Sequence, residues 1–157
     1  MGIVKFCAAG FAAVSLLASV PAAASGLDNG GGADKLRRLD IMLMVTSLRC
    51  RTGADDFQAD YGRFTTAHMR ELNHANGILR AGMAEQFGDG GANRALDRLS
   101  TTMANRYGLG HPWLGCHELK MVANQLAEME GTDALEEAAD QLLGDSATSA
   151  PSVLAHR

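Results

Sequence analysis

Positive charge is in short supply. Lys and Arg number 14 against 18 Asp and Glu, giving a formal net charge of -4, and no run of basic residues interrupts that balance. The chain therefore lacks the electrostatic footprint of a nucleic-acid binder or a protein drawn to an anionic membrane. The longest apolar run, Phe6 to Val20, falls short of the ~20 residues that a bilayer span requires. No convincing alternating run marks a strand. No G-x-S-x-G turn presents a nucleophile. A dinucleotide-binding turn is also missing, because Gly108-Leu109-Gly110 begins the pattern but Trp113 stands where its last Gly belongs and no strand precedes it. Cysteine is scarce at three residues.

What is present begins with an export pattern. Lys5 precedes the apolar Phe6–Val20 segment, Pro21 closes it, and Ala22-Ala23-Ala24 fits a small-residue cleavage site before Ser25. Residues 1–24 are expected to be a signal peptide that takes Cys7 with it. The mature protein is expected to be exported, either periplasmic or secreted. Two cysteines then remain, Cys50 and Cys116, and in an oxidising compartment they are expected to form one disulfide. Closing so long a loop should stabilise the fold by roughly 4 kcal/mol.

Periodicity in the rest predicts helices. Residues 25–33 are Gly-rich and read as a flexible lead-in. The helical domain is expected over 34–144, with a disordered Ser/Ala-rich tail at 145–157. A first helix runs from Asp34 to Leu48, and its unbroken Ile41–Val45 stretch predicts burial nearly all round. Thr52-Gly53-Ala54-Asp55 resembles a capping box opening a long second helix, in which Gly62, Gly77 and Gly82 mark either close helix crossings or a break near Gly77. A third helix spans Asn93–Tyr107. A fourth follows the Gly108–Gly115 loop and ends by Gly131, and a fifth runs from Thr132 to Gly144. The fold class is all-α, an irregular bundle of four to five helices stapled by one disulfide.

The segment from Tyr107 to His117 concentrates unusual residues: the only Trp, two His, a Pro and a Cys. His111, Cys116 and His117 could be read as metal ligands, and Cys116-His117 as the end of a haem-attachment motif. A disulfide would remove the sulfur from both, so neither metal nor cofactor is expected. His68, on the apolar stripe of the second helix, reads as a hydrogen-bonded core residue.

The segments Leu39–Arg51 and Met103–Cys116 resemble a group of short exported bacterial proteins of unestablished role, some labelled S-adenosyl-homocysteine hydrolase. The resemblance implies a small exported helical protein, and its label implies a hydrolase. It assigns no catalytic residue here, and that enzyme needs the dinucleotide fold this sequence lacks.

The function expected from the residues is a non-enzymatic protein that binds a ligand or partner. The alternative is an enzyme, or a metal or haem protein, using the His111–His117 loop. If Cys50 opens the second helix and Cys116 the fourth, their bond draws two positive helix ends together. Arg49, Arg51, His111 and His117 would flank them, with Trp113 as a flat wall. That constellation predicts a site for a small anionic ligand.

Overall fold

The computed structural model describes residues 29–144. The signal peptide, residues 25–28 of the lead-in and the C-terminal tail expected above lie outside these residues. Those described form six helices and no strand: α1 (Asn29–Cys50), α2 (Gln58–Ala67), α3 (Met69–Phe87), α4 (Asp89–Tyr107), α5 (Cys116–Glu128) and α6 (Thr132–Leu143). The fold is all-α.

Helix α1 is the axis of the molecule, and every other helix packs on it. Leu36, Leu39, Ile41, Met42, Leu43, Thr46 and Ser47 are all buried. They cover much of the helix surface, but Met44 and Leu48, at 36% and 46% exposure, leave one side open, so the burial nearly all round expected from the apolar run holds only in part. Thr46 and Ser47 satisfy their hydroxyls on the helix itself, donating to Met42 O at 2.6 Å and Met44 O at 2.8 Å. Phe57, Phe64, Leu119 and Leu135 complete the core around it. Each such side chain contributes roughly 1.5–3 kcal/mol by leaving water.

Cys50, the last residue of α1, is bonded to Cys116, the first of α5, with Cα atoms 5.7 Å apart. The disulfide ties the central helix to the α2/α5 side of the bundle.

Three expectations about boundaries need correcting. The lead-in is not separate from the domain, because Asn29 to Ala33 already belong to α1. Tertiary packing overrides the weak helix propensity of glycine there. The Glu136 side chain of α6 lies where a Cβ on Gly32 would stand, so the missing side chain permits close approach. Thr52 does not cap the second helix. Residues 51–56 instead turn the chain back from the disulfide, and Asp56 Oδ1 accepts the Gln58 N–H at 3.0 Å at the start of α2. Finally, the long second helix breaks at His68, whereas α3 runs through Gly77 intact, which raises the helix count to six. The cause is a change of partner. Helix α2 packs chiefly on α5, α3 packs on α4 and α1, and α2 and α3 barely touch each other. The buried His68 ring fixes the bend by bonding Leu126 O of α5 through Nε2 at 2.7 Å.

Candidate functional site

The Tyr107–His117 loop is a brace. His111 is 9% exposed, lies between the rings of Tyr107 and Trp113, and uses both of its nitrogens. Nδ1 accepts the Leu114 N–H at 3.2 Å. The proton therefore sits on Nε2, which donates to Leu142 O of α6 at 2.9 Å. Burial lowers the His111 pKa, against the raising effect of the Leu142 carbonyl, and keeps the ring neutral. Gly110 adopts φ +108 where the loop turns, and Arg49 crosses so close that a Cβ would meet its Nε at 3.3 Å.

This geometry corrects the expected anion site. Cys50 ends a helix instead of opening one, so the disulfide itself joins the carbonyl end of α1 to the amide end of α5. The amide ends of α2 and α5 do lie at one end of the bundle, because the two helices run side by side in the same direction, with Asp55 beside His117, Arg63 bonded to Asn124 and His68 to Leu126. Acidic groups already serve the amide end. Glu118 Oε2 accepts the Gly115 N–H at 3.1 Å, and Asp55 Oδ1 lies 3.2 Å from His117 Nδ1. Of the expected residues, Arg49, Cys50, His111 and Cys116 line one small cavity of about 130 Å³. Arg51, Trp113 and His117 are exposed and lie outside it. Trp113 is 44% exposed, so it is neither a buried core residue nor the wall of that cavity. The metal and haem readings fail on the same residues, because the Cys116 sulfur is bonded to Cys50 and His111 has no free nitrogen.

A different cluster has the character of a site. Arg37 and Asp40 sit one turn apart on α1, on either side of the fully buried Leu39. Tyr61 of α2 donates its hydroxyl to Asp40 Oδ1 at 2.9 Å. Arg37 Nη1 reaches Asp40 Oδ2 at 3.4 Å, and Nη2 donates to Ser100 Oγ of α4 at 3.1 Å. Arg37 Nε is buried and has no hydrogen-bond partner among the described residues. Burial raises the Asp40 pKa, opposed by the Tyr61 hydroxyl and then by the Arg37 charge. The Tyr61 pKa rises too, through burial and then the neighbouring Asp40 charge.

These three side chains form the floor of an open cleft of about 490 Å³ in the elbow between α2 and α3. Thr65 comes from α2, and Met69, Leu72, Asn73 and Asn76 come from α3. The volume lies in the range of small-molecule sites. A second concavity, about 510 Å³, lies outside the elbow near Gly131. Its basic residue, Arg70, is 92% exposed and pairs at 3.0 Å with Glu71, whose side chain is 15% exposed, so the cation there is left in solvent where Arg37 is half-enclosed.

Sequence reasoning missed the cleft. The signal was available: Arg37 and Asp40 stand one turn apart, next to the apolar Ile41–Val45 run of a helix expected to be buried nearly all round, and a charge enclosed there requires partners.

Compared with known proteins, the chain matches no family model, no curated protein and no solved structure.

Proposed function

We propose that this is an exported, non-enzymatic protein that binds a small polar ligand in the α2/α3 elbow, over Arg37, Asp40 and Tyr61. One observation carries the reading: a charged network nearly enclosed by the core opens into a cleft instead of being sealed. A buried ion pair is a poor stabiliser, since matching apolar residues often serve the fold as well or better. Its retention at the base of a concave surface, with perturbed titration of Asp40 and Tyr61, fits a binding role. Export is supported by the leader pattern and by the Cys50–Cys116 disulfide. The disulfide loop then serves as scaffold, clamping α1, α5 and α6 so that the elbow keeps its shape.

The test is a thermal-shift screen of chemically diverse small molecules, repeated on Asn73→Leu. Asn73 is exposed on α3, so its replacement leaves the core intact. A saturable stabilisation of the wild type that this variant loses supports the reading. Binders that stabilise both proteins equally would place the site elsewhere and overturn it. A hydrolytic reading would use the same cleft, with Asp40 as the carboxyl tuned for proton transfer. Consumption of a stabilising ligand on prolonged incubation would favour it over simple binding.

A further inference from the structure

We infer that the elbow cleft takes a neutral, polyhydroxylated ligand, a saccharide or related polyol, an inference resting on the proposal that the cleft is a ligand site. Charge decides the first part. The lining holds one cation and one anion, Arg37 and Asp40, and they already face each other. Both Asp40 oxygens are engaged, Oδ1 by Tyr61 and Oδ2 by Arg37, so its charge is already balanced before any ligand arrives. Arg37 gives one N–H of Nη1 to Asp40 and one of Nη2 to Ser100, keeping a second N–H on each, and its charge is already balanced by Asp40. Its Nε is buried and closed to an incoming molecule. A carboxylate, phosphate or zwitterion would therefore enter without a counter-charge of its own and lose solvation uncompensated.

Hydrogen-bond inventory decides the second part. Asn73 and Asn76 are one helical turn apart and line the same wall. Each amide offers an acceptor oxygen and two donor hydrogens. Such groups pair best with a partner that both donates and accepts, and a hydroxyl does both. Leu72 and Met69 supply an apolar strip beside the amides, and Met69 is 58% exposed. A sugar ring presents hydroxyls on its rim and C–H groups on its face, matching both.

The experiment is a titration of the isotope-labelled full chain, followed by amide resonances and by saturation transfer to the ligand. The probes are glucose, mannose, N-acetylglucosamine, maltose and trehalose, set against glycine, acetate and inorganic phosphate, each taken to tens of millimolar. The expected result is saturable binding of at least one saccharide, with shifts centred on Tyr61, Thr65, Asn73 and Asn76. Asn73→Leu and Asn76→Leu should each weaken it about threefold to tenfold, the loss of one hydrogen bond. Glu128→Gln, in the other concavity, should leave it unchanged. Shifts in the same residues with glycine, acetate or phosphate but no saccharide would overturn the ligand class while keeping the site. Shifts confined to other helices, or none with any probe, would overturn this inference and count against the site as well. Because Asn73 is exposed, its variant keeps the comparison decisive even if Asn76→Leu fails to fold.

Discussion

Replacing Tyr61 with Phe removes a single oxygen, and the structure specifies what that oxygen does. It donates at 2.9 Å to Asp40, whose side chain is 16% exposed, so water can do little to replace it. A hydrogen bond to a charged acceptor is worth about 1.5–3 kcal/mol. Tyr61→Phe should therefore lower stability by about 2 kcal/mol, a large part of a total of ~5–15 kcal/mol. Guanidinium denaturation should show a lower midpoint at an unchanged slope. The loss should also depend on pH. Asp40 has a folded pKa raised above its ordinary 3.8, so its charge opposes folding and relief comes as pH falls. Without the Tyr61 hydroxyl that pKa rises further. The deficit of the variant is then fully developed above the titration range of Asp40 and shrinks as pH falls through it. In an Asp40→Asn background the same Tyr61→Phe change should cost less, since the acceptor is no longer charged. A deficit under about 0.5 kcal/mol, the ordinary surface value, or one that is flat across the acidic range, would refute the account of this network.

Other consequences follow from the rest of the fold. Denatured, unreduced mature protein should contain no titratable thiol, and reduction should destabilise the fold by roughly 4 kcal/mol, measured as the change in unfolding free energy. His111→Gln should weaken the brace between the loop and α6, visible as altered Trp113 fluorescence and a lower midpoint. Because burial lowers the His111 pKa, its stabilising contribution is complete above the ordinary value of 6.5 and is lost as pH falls through the folded pKa; the Gln variant should lack that component of the acid destabilisation. Gly77 and Gly82 lie inside α3 with nothing within 4 Å of an added Cβ, so changing both to Ala should stabilise by about 1–2 kcal/mol. Gly131→Ala should destabilise by about 1 kcal/mol or more, because φ there is +89. Thermal or denaturant unfolding reads both glycine changes.

The residues legible from sequence were those whose roles are local or forced by counting. With Cys7 assigned to the expected leader, two cysteines remain and permit one pairing. The Ile41–Val45 run permits few surfaces other than a central helix. Thr132 and Gly144 bracket α6 as written. What stayed hidden depends on packing partners. Nothing local distinguishes His68 as a bend from Gly77 as a bend, since the helix breaks where its neighbours change. Cys50 looked like the start of the following helix because Thr52 and Asp55 resemble a cap, yet the disulfide and the return of the chain occupy that stretch with turns. Arg37, Asp40 and Tyr61 are unremarked singly. They become a network only when α2 lies across α1.

The bend at His68 has a consequence for how the bundle responds to load. Helices α2 and α3 are consecutive, but each is committed to a different neighbour, and the cleft occupies the space their own contact would have filled. The backbone at His68, the ring bond to Leu126 and the shared floor on α1 join the two halves. A molecule seated in the elbow would add a fourth strut, touching Tyr61 and Thr65 on one arm and Asn73 and Asn76 on the other. Its effect would reach beyond its own contacts, stiffening the joint and slowing amide exchange in α2 and α3 together.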